Sequence, residues 1–415
     1  MEEAVWKNGK ERTQMSGRKE EMRLRLRNEL EEREEMTEKE ISDLIDELIM
    51  EEGIREKLSL REKEELQREL LYSVRKLDVL QELVDDPTVT EIMVNGFRHI
   101  FYERNGKLRK WDREFPSPER LEDVVQQIAG QCNRIVNEQR PIVDARLQEN
   151  GARVNIVLSP IALEGPIITI RRFPDDPITM RDLIRSGSIT QEAADLLKDL
   201  TEAAYSIVIG GGTSTGKTTF LNALSGFIPK DERIITIEDN AELQIQNVDN
   251  LVRLEARNAN LEGTQEITIR DLIKTALRMR PDRIIVGEVR GAEAGDFLIG
   301  LNTGHAGSLG TAHANTARDM IGRIEMMVLM GVTLPVPVIR RQIAGGIEIL
   351  VQLTRDADGT RAVEEIAEID GMIGDEVCIR TLYRRDTKGT LFRQAELKHR
   401  EKLEKLYERR KTKTS

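Results

Sequence analysis

Cysteine is almost missing from this chain: Cys132 and Cys378 are the only two in 415 residues. That excludes a disulfide framework and a four-cysteine zinc site. No run approaches the roughly 18 consecutive apolar residues that a membrane span requires. The opening Met1-Glu2-Glu3 has no basic-then-apolar export pattern, so the expectation is a cytosolic chain. Aromatic residues make up 4% of the sequence, and the formal net charge is -11. Both argue against nucleic acid as the default partner, since phosphate contacts need clustered Lys and Arg and single strands need stacking platforms. No internal repeat is present.

What remains is a charge-rich chain, 33% charged and 39% hydrophobic. At about 150 residues per domain it is long enough for two or three domains. Residues 1–70 hold 22 acidic and 15 basic residues, with Trp6 as the only aromatic. Within this stretch Thr37 with Glu40 and Ser59 with Glu62 make two capping boxes. The first is followed by Ile41, Leu44, Ile45, Leu48 and Ile49, the second by Leu66, Leu70, Val74 and Leu77. Residues 1–76 therefore read as a charged helical region. Residues 77–172 read as an α+β domain, with hairpins at Asn95-Gly96, Asn105-Gly106 and Asn150-Gly151 and a helix from Pro118 to Val136. Pro174 and Pro177 mark a linker over 173–189. Residues 190–394 read as α/β with a parallel sheet, with buried strands at Ser206–Ile209, Ile234–Ile237 and Ile284–Val286 and helices at Arg270–Arg280 and Arg318–Met330. Residues 395–415, with eight basic and four acidic side chains, read as an exposed helix that frays.

The chemistry concentrates at Gly211-Gly212-Thr213-Ser214-Thr215-Gly216-Lys217-Thr218, followed by Thr219, which fits G-x-x-x-x-G-K-S/T. An apolar strand precedes it and a helix follows, as the motif requires. The glycines let successive N–H groups face phosphate oxygens at a helix N-terminus. Lys217 supplies charge to the β- and γ-phosphates, and Thr218 offers a hydroxyl to Mg²⁺. Two strands run into acids, at Glu238-Asp239 and at Gly287-Glu288. In an open parallel sheet such strand ends converge on the ligand crevice. Capping a helix or pairing with Arg290 is the alternative for Asp239 and Glu288. Of four histidines, His305 and His313 share the small-residue stretch Thr303–Asn315, where both could meet a γ-phosphate; a structural role is the alternative for His305.

Together these residues resemble the type II/IV secretion ATPases, and within them the CpaF branch of the tight-adherence pilus machinery, over about residues 77 to 390. After the phosphate loop, Ile235–Asp239 is similar to the family's Asp box, Leu277–Gly291 to its atypical Walker B and Thr303–Asn315 to its His box. The resemblance implies an α/β fold with a RecA-like ATPase domain behind an α+β, PAS-like N-terminal domain. It implies ATP and Mg²⁺ as ligands, with Glu288 the acid near the metal and the attacking water. It implies Glu238 as a second acid that polarises water or supports the metal, and His313 as a γ-phosphate sensor with His305 close by. Val143–Leu147, Gly151–Asn155 and Ile170–Phe173 match the family's N-terminal domain and make Arg146, Arg153 and Arg171 candidate fingers, against ordinary strand-surface pairing. The family also implies a homohexamer at the inner face of the cell membrane, docked on an integral membrane platform protein. Ser214 departs from the pattern, standing where many members have glycine. A nucleotide-gated scaffold with incidental hydrolysis and a nucleic-acid motor are the competing functional readings.

Overall fold

The computed structural model describes residues 37–56, 59–104, 106–132, 134–147, 151–172, 177–257 and 265–414, with Met22, Arg25, Leu26, Asn28 and Glu29. Trp6, Asn105, Asn150, Phe173 and Pro174 lie outside the described residues. The chain divides into two compact units, Met1–Asp175 and Asp176–Ser415.

In the first unit, helices α1 (Glu38–Glu56) and α2 (Leu60–Arg75) pack together. Thr37 caps α1: its backbone N–H and hydroxyl donate to Glu40 Oε2 at 2.7 Å each, and Glu40 N–H returns to Thr37 Oγ1. Ile41, Ile45, Leu48 and Ile49 are buried with Leu66, Leu70, Met22 and Leu26. This charged region thus owns a small apolar core. A 3₁₀ turn (Asp78–Leu80) and α3 (Gln81–Asp85) lead into a sheet of six strands, β1 (Val89–Asn95), β2 (His99–Arg104), β3 (Lys107–Lys110), β4 (Ile142–Arg146), β5 (Arg153–Val157) and β6 (Ile167–Arg171). Their order is β3-β2-β1-β6-β5-β4, with every neighbouring pair antiparallel. Gly96 turns the first hairpin at φ +66°, and a Cβ there would stand 2.7 Å from the Glu164 carbonyl oxygen. Alternation buries Ile92, Val94, Val154, Ile156, Ile168 and Ile170 with helix α4 (Pro118–Gln131). That helix stops short of the expected Val136, because Arg134 N–H bonds back to the Ala129 carbonyl at 2.8 Å and closes the last turn.

The second unit opens with α5 (Met180–Arg185) and α6 (Gln191–Glu202). The sheet strands are β7 (Ile207–Gly211), β8 (Arg233–Glu238), β9 (Asn250–Glu255), β10 (Arg283–Val289), β11 (Leu309–Ala312), β12 (Ile349–Arg355), β13 (Arg361–Ile373), β14 (Glu376–Arg385) and β15 (Leu391–Arg393). The order is β15-β14-β13-β12-β7-β11-β10-β8-β9. From β12 to β9 the pairings are parallel, so β7 sits inside the parallel part. Ile207 and Ile209 face one apolar cluster and Val208 faces the other, which places the sheet between two helical layers.

Three expectations are corrected here. The sheet is mixed: β13, β14 and β15 continue it antiparallel. Helix α8 (Ile269–Ala276) ends before Arg280, which adopts φ 56° ahead of Pro281. The basic tail is docked rather than frayed. Its helix (Glu401–Thr414) buries Leu403, Tyr407 Oη donates to Asp199 at 2.7 Å, and Arg410 bridges Asp199 and Glu202 on α6.

Candidate nucleotide-binding and hydrolysis site

Strand β7 delivers the chain into the loop through Gly210 and Gly211. A Cβ at Gly210 would stand 2.1 Å from Met320 Cε and 2.5 Å from Gln352 Oε1, so only glycine lets the strand pack this tightly. Ser214 and Gly216 both turn with positive φ, 59° and 89°, and helix α7 (Lys217–Ser225) starts at once. The N–H groups of its first turn are the ones that intrahelical bonding leaves over. Serine at 214 holds a left-handed conformation natural to glycine, which is the physical content of its departure from the family pattern. Thr215 Oγ1 closes the loop on the Gly212 carbonyl at 3.0 Å. Lys217 is buried, with Nζ donating to the Gly211 and Gly212 carbonyls at 3.1 and 2.9 Å. Burial holds its ammonium below the usual range, while Glu288 pulls the other way.

The acids come from neighbouring strands. A register shift between Val286 and Val289 against β11 puts an extra residue into β10 at Gly287-Glu288. Such a bulge re-aims the side chain it carries. Thr311 Oγ1 pins it through the Gly287 carbonyl at 2.6 Å. Glu288 Oε2 accepts from Arg290 Nε at 2.6 Å, and Arg290 Nη1 lies 3.1 Å from Asp239 Oδ2. The pairing with Arg290 weighed as an alternative is therefore present for both acids. Glu288 Oε1 lies 2.5 Å from His313 Nε2, close but too poorly aligned to count as a hydrogen bond. His313 Nδ1 in turn lies 3.3 Å from Lys217 Nζ. Burial and the Lys217 ammonium hold the imidazole below its ordinary range against the pull of Glu288. A neutral ring leaves Nδ1 able to accept from the Lys217 ammonium. Lys217, His313, Glu288, Arg290 and Asp239 thus form one chain of contacts across three strand ends and the loop.

Glu238 ends β8 and is 3% exposed. Its Oε1 accepts from the N–H groups of Glu242 and Leu243 at 2.9 and 2.8 Å, and its Oε2 is buried without a partner. Burial raises its carboxyl to about 7 against those two hydrogen bonds. Gly287 makes room for it, since a Cβ there would stand 2.8 Å from Glu238 Cγ. Thr218 and Thr219 lie in the first turn of α7, behind Lys217. His305 is not brought to this cluster. It precedes β11 whereas His313 follows it, and its Nδ1 lies 3.3 Å from the Gly300 carbonyl at the end of helix α9 (Glu293–Asn302). Arg146, Arg153 and Arg171 belong to the first unit, where they stand directly opposite one another across β4, β5 and β6. Arg146 Nε donates to the Gly151 carbonyl at 2.9 Å, and Arg153 lies 3.7 Å from Asp144.

Two contributors escaped the sequence reading. Gln352 on β12 is buried and donates to the Ala314 carbonyl at 3.0 Å, bracing the loop that carries His313. Arg361 at the start of β13 donates from Nε to the Ser214 carbonyl at 3.0 Å. Both come from strands that pair with the phosphate-loop strand or its neighbour long after the motif has ended, and no spacing in the sequence signals that.

The model of type II/IV secretion system proteins matches residues 74–413 of this chain. A putative conjugal transfer protein of Mycobacterium tuberculosis is 36% identical over 294 residues, covering 70% of this chain and 83% of its own. The conjugal transfer protein TrbB of Rhizobium radiobacter is 34% identical, covering 72% and 90%. The type IV secretion system protein PtlH homolog of Bordetella bronchiseptica is 32% identical, covering 71% and 95%. Among solved structures, the pilus retraction motor PilT with bound ADP covers 81% of this chain and 89% of its own at 19% identity, with a TM-score of 0.52. The Legionella pneumophila ATPase DotB covers 68% and 77% at 20% identity, with a TM-score of 0.51. These two likenesses speak for the fold. With the phosphate loop, the bulged acid and a family match over most of its length, the chain belongs to the type II/IV secretion system protein family and is a P-loop ATPase.

Proposed function

We propose that this protein is a hexameric motor that hydrolyses Mg-ATP to drive pilus assembly or secretion through an integral membrane platform protein, and that it is of the CpaF type. The observation that carries the reading is the contact chain Lys217–His313–Glu288, which joins the phosphate-loop cation to the bulged acid through one imidazole. In hydrolysis, water forms a bond to the γ-phosphorus as the bond to the β–γ bridging oxygen breaks. The water proton leaves to a carboxylate and the charge grows on the leaving ADP. Lys217 neutralises that charge, His313 reports on the γ-phosphate, and Glu288 orients the water. Glu238, its proton affinity raised to about 7, is suited to take the proton. The oxygen donors of Thr218 and Glu288, whose Oε1 is buried without a hydrogen-bond partner, fit a hard divalent cation, and Mg²⁺ would supply charge neutralisation on the phosphates.

In this reading the loop residues Gly211–Thr219 bind the nucleotide, and Arg146, Arg153 and Arg171 neutralise transition-state charge when the first unit closes on the second. The working division is 1–76, 77–172, 173–189, 190–394 and 395–415. In this reading the protein is cytoplasmic and held peripherally at a platform; among the described residues no single helix is long and apolar enough to cross a membrane. The relatives' names point to transfer and secretion systems. Steady-state phosphate release with Mg-ATP tests the reading, run beside Lys217→Ala and Glu288→Gln with mass by light scattering. The expected loss of turnover in Glu288→Gln is about 10²-fold or more. Wild-type turnover in that variant sinks the hydrolytic motor, and a monomer under all nucleotide conditions sinks the hexamer.

A further inference from the structure

We propose that Arg361 is a positioning residue for nucleotide binding: it sets the phosphate loop through the Ser214 carbonyl and ties that loop to the segment by which the chain enters its second unit. The proposal rests on reading Gly211–Thr218 as a nucleotide site. Arg361 Nε donates to Ser214 O at 3.0 Å, and a Cβ on Gly216 would lie 3.4 Å from Arg361 Cδ. The side chain therefore lies along the loop on both sides of Thr215. Ser214 holds φ 59°, a conformation that an L-residue keeps only where its surroundings over-determine it. The guanidinium on its carbonyl is one such determinant.

The other end of Arg361 is anchored elsewhere. Its carbonyl accepts from Ser188 Oγ at 2.7 Å, and Val363 N–H donates to the Ser188 carbonyl at 2.8 Å. Ser188 lies three residues past the end of α5, and its N–H bonds back to the Leu183 carbonyl at 2.9 Å, so it moves with that helix. The hairpin that carries Arg361 is built on β12, which pairs with the loop's own strand, Leu353 opposite Gly211. One path of hydrogen bonds thus runs from the entering segment, through Ser188 and Arg361, to the loop carbonyl. A displacement of α5 moves Arg361, and the loop's donor geometry follows.

The test measures the affinities of fluorescent ADP and ATP analogues for the full chain by anisotropy, for the wild type, Arg361→Ala, Arg361→Lys, Ser188→Ala and the Arg361→Ala/Ser188→Ala double variant. Arg361→Ala is expected to weaken both nucleotides about fivefold, the size of one ordinary hydrogen bond. Its melting temperature should stay with the wild type. Arg361→Lys should recover part of the loss, since an ammonium reaches the same carbonyl without the planar fork. Ser188→Ala should weaken both nucleotides less, and the double variant should bind no worse than Arg361→Ala. Unchanged affinity in Arg361→Ala overturns the proposal. So does a loss confined to ATP, which makes Arg361 a γ-phosphate ligand, and so do additive effects in the double variant, which break the link to Ser188. A wild type that binds nucleotide without turning it over removes the motor and leaves this comparison standing; one that binds none removes both.

Discussion

Burial lifts the Glu238 carboxyl from its ordinary 4.5 to about 7, because two backbone N–H groups replace only part of the water it loses. The folded protein then holds a proton that the unfolded chain releases, so this contribution to stability is complete below about pH 4.5 and lost as pH rises through 7. Its span is about 3 kcal/mol. Glu238→Gln keeps the acceptor at Oε1 and removes the titration. Urea unfolding at pH 5 and pH 8 should therefore show the variant gaining on the wild type at the higher pH, and an identical gap at both values contradicts the shift. Gly287→Ala probes the same carboxyl by crowding, since the added methyl meets Glu238 Cγ at 2.8 Å. Overpacking of this kind costs about 1–3 kcal/mol. Turnover should fall at least about tenfold as Glu238 is pushed off its N–H partners, and normal phosphate release from a folded variant removes Glu238 from the mechanism. The loop was legible because its spacing is itself the requirement of phosphate binding, and the acids because each follows an apolar run that reads as a strand. The inward turn of Glu238 was not, since its partners Glu242 and Leu243 lie in an irregular stretch where no periodicity operates.

Elements with one uninterrupted apolar run read clearly: β7, β8 and β10 stand within one to three residues of their expected bounds. The antiparallel extension did not, and its register explains why. Shifts fall between Gln352 and Leu353, between Ile366 and Ala367, and between Ile369 and Gly371, so alternation breaks phase repeatedly along β12 and β13. The tail misled for a different reason. Its basic residues suggested a solvated helix, yet Leu403, Leu406, Tyr407 and Arg410 recur at helical spacing and form the docked face. Lys402 adds a bond to Glu348, and Lys398 and His399 donate backbone N–H groups to Glu368. Leu403→Ala should cost the second unit about 2 kcal/mol, the low end for a buried leucine at a domain edge. Urea unfolding followed by far-ultraviolet circular dichroism checks this, and a variant within about 0.5 kcal/mol of wild type returns the helix to the frayed state read from its charge.

At the scale of the whole molecule, the proposed function assigns arginines of the first unit to the nucleotide bound by the second. Arg146, Arg153 and Arg171 face each other across three strands, with Cβ atoms of such opposed pairs about 5 Å apart. Like charges in that position repel, and Glu91 opposite Arg171 and Asp144 3.7 Å from Arg153 offset part of that repulsion. A row that serves an anion and a row that serves the sheet surface predict different behaviour on substitution. Arg153, the middle member, separates the two cases. If the row serves the γ-phosphate, Arg153→Ala leaves the melting temperature unchanged or slightly raised while turnover drops about 10²-fold. Added salt should then stabilise the wild type more than the variant, because screening relieves repulsion that the variant has already lost. A strand-surface role gives the reverse, a lower melting temperature with turnover intact. Thermal unfolding at low and high ionic strength, beside phosphate release on the same samples, decides between them.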